Sequence, residues 1–368
     1  MERRSTSVRL PDAGSPFVIS RRVARKGEGS NVLILLLVSL LLFGDLPSTF
    51  AAPIDELVAA AKKEGVLELL APSSTGAAGV QALGNAFNKK YGLNIKVNYT
   101  PSSNMTGDVA KLVMGAASRA TPEWDLILVT DAHHATVWSK KLHQSFDYAK
   151  VGVAADLIQY DNGAVSVGNQ FVLPAYNRNV LAAPDAPRRW EDLLDTKWKG
   201  GKLGVSTATH HLSRLAVGPW GETKTSEFVR AIAKQEPILG SLANLYTRLQ
   251  IGEILIAVTM VDSFISQAKK DGVPIVFADG LDPVISPAYN AGVPKGARHA
   301  NAGHLFAVFM TNLEAQELWE KFNGQTSALI SGTTAHRYAQ GKNLLQMNQN
   351  QAPTVDQLAR QYGKILGF

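Results

Sequence analysis

The chain has 368 residues, 45% apolar and 18% charged, which excludes a disordered polymer and leaves room for two ordinary domains. Formal net charge is +6, but the first 52 residues hold seven basic and four acidic side chains, so the remainder sits near balance at +3. With no basic block interleaved with aromatics, nothing argues for nucleic acid, and the absence of cysteine excludes disulfides, thiolate nucleophiles, Cys-ligated metals and a lipidated cysteine.

A basic stretch (Arg21, Arg22, Arg25, Lys26) precedes the apolar run Val32 to Phe43, then Gly44, Pro47 and the small residues Thr49 and Ala51. That run is too short to span a hydrocarbon layer of ~30 Å, so residues 1–51 read as a cleavable secretory signal and the mature chain as periplasmic and not lipidated. The alternative is an uncleaved amino-terminal anchor.

Beyond the leader, helices and strands alternate. Ile54, Leu57, Val58 and Ala61 recur at helical spacing up to Gly65, and Val66 to Leu70 follows as a buried strand. Val80, Leu83, Phe87 and Tyr91 predict the next helix, stopped at Gly92; Ile95, Val97 and Tyr99 alternate as a strand. A helical stripe (Met105, Val109, Leu112, Ala116) then leads to the strand Asp125–Thr130. Strands separated by helices of this length indicate parallel βαβ units. Ala164 to Tyr176 is long and extended, as a strand crossing between lobes would be. Further helices are expected near Ser226–Lys234 and Ser241–Gln250, with strands at Ile254–Val261 and Ile275–Phe277. Pro283 to Ser286 reads as a return crossing, Leu305–Met310 and Leu313–Phe322 as helices against the first lobe, and Val355, Leu358, Ala359 and Tyr362 as a closing amphipathic helix. The expected division is lobe 1 at 52–170 plus 283–330, lobe 2 at 171–282, and a helical segment, 331–368, packing on the lobes.

Arg189 to Ser206 (RWEDLLDTKWKGGKLGVS) is the most informative stretch: Trp190 and Trp198 would pack a small helix against the strand from Leu203 to Val205, with Gly200-Gly201 as the turn. Together with YGLNIKVNY (91–99), the strand ending at Asp131, IGEILIAVTMVDSF (251–264) and the segment 288–319, it resembles the periplasmic solute-binding proteins of ABC importers, in particular the ferric-iron-binding and polyamine-binding group. The resemblance implies an α/β, two-lobed periplasmic-binding-protein fold, type II-like, with a hinge of two crossing strands. It also implies a small-molecule solute, an inner-membrane permease as partner, a monomer, and neither cofactor nor enzymatic activity.

Ligands of open α/β sheets meet loops at the carboxyl ends of strands, often against helix N-termini. The loops so placed are Ser73, Ser74, Thr75 and Gly76; Thr130 and Asp131; Thr207, Thr209 and His210; and Asp262 and Ser263, with Tyr289 just past the return crossing. Each has a plainer reading as a helix cap. Hydroxyls and free amides of this kind favour a small polar or anionic solute. For a polyamine-type cation, several carboxylates with aromatic walls are expected, and only Asp131, Asp262 and Tyr289 qualify.

Ferric-binding members of the group carry adjacent tyrosines after the strand that corresponds to Ile254–Val261. Phe264 and Ile265 stand there instead, so ferric binding would need atypical ligands such as Asp131 and Tyr289. The pairs His133-His134 and His210-His211 lack chelating spacing and read as solvated loop pairs, with His210 a possible ligand contact. Gly204-Val205-Ser206-Thr207-Ala208 resembles a nucleophile elbow, which makes a periplasmic serine hydrolase acting through Ser206 the alternative from another class. A sensor subunit using the same closure is a third reading.

Overall fold

The computed structural model describes residues 53–368, so the expected leader lies outside the described residues. The chain begins with α1 (Pro53–Glu64), whose first turn holds Asp55 and Glu56 and whose last holds Lys62 and Lys63, matching the helix dipole at both ends. Then follow β1 (Val66–Pro72), α2 (Gly76–Tyr91), β2 (Lys96–Ser102), α3 (Met105–Ala117), β3 (Leu126–Thr130) and α4 (Asp131–Ser139). Gly92 ends α2 in the left-handed conformation, at φ 61°. Asn104 caps α3, its side-chain oxygen accepting from the Gly107 amide at 3.1 Å. Strands β1, β2 and β3 are parallel, as expected of βαβ units.

Two further strands, β4 (Ile158–Gln159) and β5 (Ala164–Asn169), join this sheet, and then the chain leaves it. The extended run expected over 164–176 is two strands: β5 in the first sheet and β6 (Val172–Asn177) in the second, separated at Gln170-Phe171. The break is held by other crossing segments, since the Asn169 amide donates to Thr326 O at 2.9 Å and the Gln170 amide to Pro287 O at 2.8 Å.

The second sheet is built from β7 (Leu203–Ser206), α5 (His210–Ala216), α6 (Gly221–Ala233), β8 (Ile238–Gly240), α7 (Leu242–Gln250), β9 (Ile256–Val261), α8 (Asp262–Lys270), β10 (Ile275–Phe277) and β11 (Val284–Ile285). The chain returns through Ser286-Pro287 to β12 (Ala288–Gly292), which lies antiparallel between β3 and β5. Helices α9 (Ala300–Met310) and α10 (Leu313–Asn323) pack on lobe 1, against α1 and α2 respectively. The remaining chain, α11 (Thr334–Ala339), β13 (Leu344–Leu345) and α12 (Ala352–Leu366), adds a strand beside β11 and a helix against α5 and α6. The final segment is therefore more than a helical appendage, because it completes the second sheet.

The sheet orders are β2-β1-β3-β12-β5-β4 and β13-β11-β6-β9-β7-β8, with β10 also pairing β6. Each sheet has a parallel trio (β2-β1-β3 and β8-β7-β9) flanked by one antiparallel strand that has just crossed over, β12 or β6. The ends of β1 and β3 in one lobe therefore correspond to the ends of β7 and β9 in the other.

Each lobe has its own core. In lobe 1 the rings of Phe87, Phe306 and Phe309 pack with centroids 5.1–5.7 Å apart. In lobe 2 Trp190 is fully buried against Phe228 and donates its indole N–H to Pro283 O at 3.0 Å, on the return crossing. Trp198 is tied to Asp192 O at 2.8 Å, and Gly200 and Gly201 make the turn at φ 80° and 78°. The tryptophan segment is thus the scaffold of lobe 2, and it anchors one of the strands that joins the lobes. Among the described residues, no helix is long and apolar enough to cross a membrane.

Candidate functional site

The strand ends of the two sheets meet along one seam. Asp131 opens α4 directly after β3, and Arg214 lies on α5 after β7, so the two belong to opposite lobes. They form a bidentate pair, Nη2 to Oδ1 at 2.6 Å and Nη1 to Oδ2 at 2.7 Å, with the Arg214 side chain 1% and the Asp131 side chain 2% exposed. Asp131 also accepts from the Ala132 amide at 2.8 Å and from the Ala288 amide at 3.3 Å, while Tyr160 donates its hydroxyl to Asp131 O at 2.7 Å. This carboxylate is fully committed within the protein.

Two histidines border the pair. His133 shares hydrogen bonds with Thr130 Oγ1 at 2.7 Å and Thr106 Oγ1 at 3.1 Å. Burial lowers the pKa of His133, and burial followed by the Arg214 charge lowers that of His210 to about 4, so both rings are neutral at pH 7. The solvated loop pairs expected here are corrected by the structure: all four histidines lie on helices, and His134 and His211 are buried. His134 donates from Nε2 to Asn290 O at 2.9 Å and shares its other nitrogen with His143 at 3.0 Å, so it braces α4 against β12.

Asp262 occupies in lobe 2 the place that Asp131 occupies in lobe 1, the first residue of the helix after the third strand. Its surroundings are different. Its Oδ1 accepts from Gln325 Nε2 at 3.1 Å, its backbone amide donates to Phe171 O at 3.0 Å, and no basic side chain pairs with it among the described residues. Burial pushes its carboxyl up to about 7, against the opposing hydrogen bonds of Gln325 and nearby backbone amides. Gln325 continues a polar chain to Asn323 at 2.9 Å and on to Ser74 Oγ at 2.5 Å. Tyr289 is buried on β12, next to the Ala288 amide that bonds to Asp131; burial raises its phenol, as do the charges of Asp262 and Asp131, and its oxygen accepts from Gln170 Nε2 at 3.2 Å.

The remaining predicted positions divide. Ser73 is exposed at the rim, Thr75 is buried with a hydroxyl that has no partner, and Gly76 begins α2 at φ 66°. Ser263 is half-buried beside Asp262. Thr130, Thr75 and Thr209 stand at helix N-termini, but none caps its helix through its side chain, so the plain capping reading fails for all three. Thr209 is instead engaged inside lobe 2, donating to Ala359 O on α12 at 2.7 Å, and Thr207 is exposed, with its amide bound to Gly240 O at 3.0 Å. Ser206 is buried; its oxygen accepts the Ala208 amide at 3.0 Å, a local turn, and among the described residues no histidine or carboxylate bonds to it.

Sequence reasoning missed Arg214, Gln325, Asn323 and Gln170. The signal for Arg214 was a lone arginine one helical turn beyond His210, in a short helix with no carboxylate to pair it. Gln170 and Gln325 lie in crossing segments and Asn323 ends α10, and their partners are defined only by tertiary packing. The adjacent tyrosines of the ferric-binding group have no counterpart after β9, where Phe264 packs on Tyr246 with ring centroids 5.2 Å apart, and among the described residues no three His, Cys, Asp or Glu side chains converge.

Residues 82–335, which span both lobes, match the model of the bacterial extracellular solute-binding proteins. The chain belongs to that family. No curated protein sequence matches this solute-binding protein. Among solved structures it is similar to the substrate-binding protein of an ABC transporter from Agrobacterium tumefaciens (TM-score 0.66, 13% identity, 83% of this chain and 96% of that one). It is also similar to iron-bound HitA from Pseudomonas aeruginosa (0.63, 14%, 82% and 99%) and to a GABA receptor (0.64, 17%, 82% and 97%). At these identities the likeness establishes the two-lobed α/β fold. In a solute-binding protein of that fold, the seam between the sheets is the candidate site.

Proposed function

We propose that this protein is the periplasmic receptor of an ABC importer: it captures a small polar solute between its lobes and presents the closed form to an inner-membrane permease. The observation that carries the reading is the convergence of polar strand-end side chains from both lobes on one seam: Asp131 with Arg214, and Asp262 with Gln325 beside Tyr289. Ser74, Thr130 and Ser263 complete the proposed solute contacts, Ser74 in the turn after β1, Thr130 at the end of β3 and Ser263 in the first turn of α8.

Closure needs a solute that touches both lobes, because only differential affinity for the closed form can shift the hinge equilibrium. The Asp131–Arg214 pair supplies part of that closure, and the solute adds the rest. Secretion through the leader at residues 1–51 and action as a soluble monomer belong to the same proposal, as does the absence of catalysis. The test is a thermal-shift screen of metabolites, ferric citrate included, on the mature chain. Binding stabilises the native state by roughly 2.7 kcal/mol at a hundredfold excess over Kd. A hit that also shrinks the radius of gyration in X-ray scattering supports the receptor. Turnover of an ester or amide substrate, lost in Ser206→Ala, would replace it with a hydrolase.

A further inference from the structure

The seam is not the only place where the lobes touch. Residues 346–351 leave lobe 2 after β13 and rejoin it at α12, and between these two anchors they lie on lobe 1. Met347 is buried in a small apolar cluster, with Ala352 and Val355 from its own side and Ala135, Tyr160 and Ala164 from lobe 1. Two residues on, Gln349 Nε2 donates to Asp161 Oδ1 at 3.0 Å. The other oxygen of that carboxylate accepts from Trp138 Nε1, near the end of α4, at 2.7 Å.

Both halves of this contact are shaped in advance. On lobe 1, Tyr160, Asp161 and Asn162 are three successive non-glycine residues in the left-handed region, at φ 56°, 55° and 64°, a conformation that persists only where the surroundings impose it. Here the Phe146 amide donates to Asn162 O at 3.0 Å and Ser145 Oγ to Asp161 O at 3.2 Å. The Tyr160 hydroxyl donates to Asp131 O, so the turn that presents Asp161 also touches the acid of the interlobe pair. On the lobe 2 side, Asn348 Oδ1 accepts the amides of Asn350 and Gln351 at 3.0 and 3.2 Å, and Gln351 Nε2 donates to Val217 O, just past α5, at 2.9 Å. Strand β5 runs from Ala164, in the cluster, to Asn169 at the crossing, five steps that span roughly 16 Å, so rotation about the crossing displaces the contact. The interface is also not one continuous core. Beside the contact, a cavity of about 280 Å³ separates α4 from α12, lined by Thr136, Ser139, Gln349, Asp356 and Arg360 among others.

We propose that residues 346–351 are a latch: Met347 and Gln349 seat on lobe 1 to hold the closed arrangement, and leave it when the lobes open. This rests on the hinged-receptor reading above and adds to it a second interlobe hold, outside the set of solute contacts. The latch sets how much of the unliganded protein is closed, and through that population the apparent affinity for solute.

The chain has no cysteine, so an introduced thiol is read without background. In the unliganded mature protein, Met347→Cys reports unlatching through its rate of reaction with a maleimide. Adding Asp161→Ala should raise that rate about tenfold, while the same change alters labelling of Val229→Cys, buried in the lobe 2 core, by less than about twofold. Small-angle X-ray scattering then reads the lobes themselves. Asp161→Ala with Gln349→Ala should enlarge the radius of gyration, as should Arg214→Met. The pair Asp161→Cys, Gln349→Cys, once joined by a short bismaleimide, should keep the wild-type radius even with Arg214→Met added. Equal labelling of Met347→Cys in both backgrounds would overturn the latch. So would faster labelling at both thiols, which would make Asp161 a support of global stability. Expansion of the cross-linked protein on Arg214→Met would make the contact a pivot, again overturning the latch while the hinge and the receptor stand. No expansion in any variant, with Arg214→Met and the latch changes combined, would instead show lobes that do not move and sink the hinged-receptor reading itself.

Discussion

Asp131 and Asp262 hold the same place in two similarly built lobes: each is the first helical residue after the strand that closes a parallel trio. In lobe 1 that place is an ion pair buried between the lobes, at 2.6 and 2.7 Å. In lobe 2 it is a carboxyl facing an amide and phenols, pushed up to about 7 by burial. The difference teaches that topology supplies a position for an acid, and its role is decided by what the opposite lobe brings to it. One acid holds the lobes together, and the other has no counter-charge among the described residues.

The comparison is broken most sharply by removing the arginine. Arg214→Met leaves Asp131 buried and unpaired and should cost about 3–5 kcal/mol in urea unfolding, with most of the loss recovered in the Asp131→Asn, Arg214→Met double variant. A loss under about 1 kcal/mol would mean that the pair is not closed in solution. At Asp262 the sign reverses. A native carboxyl raised from roughly 4 to about 7 binds its proton more tightly than the unfolded chain does, so wild-type stability falls as pH climbs between those values and stays low above them. Asp262→Asn should therefore stabilise the unliganded protein at pH 8 by roughly 1–3 kcal/mol, with the gain gone by pH 4. Melting curves across pH read this directly, and a destabilised variant at pH 8 would show that the carboxylate is compensated after all.

Two smaller tests sharpen the contrast between seam and scaffold. Thr209→Val removes the 2.7 Å bond to Ala359 O and should cost about 1 kcal/mol while leaving solute affinity within about twofold. Ser206→Ala loses only the turn bond to the Ala208 amide, at most about 1 kcal/mol by chemical denaturation, again with affinity unchanged. A large affinity loss in either variant would return that residue to the solute.

Much of the architecture was legible in the linear order. Apolar spacing located α1, α2 and the strand before Asp131, and the tryptophan segment marked the lobe 2 scaffold, because each depends on local periodicity and turn chemistry. The strand-end rule placed Asp131, Asp262 and Tyr289 at the seam. It did not reveal that Thr209 bonds into its own lobe, or that the histidine pairs lie on helices with His134 and His211 buried. Nothing in the spacing separates a threonine facing the seam from one reaching α12, 150 positions away.

The sequence by itself determined the family, the alternation of parallel units and the set of polar residues available at strand ends, since these follow from short-range pattern. Only the tertiary structure decided which acid is neutralised, because electrostatic compensation depends on distance in space. Arg214 reaches Asp131 across 83 positions of chain, and among the described residues no arginine reaches Asp262.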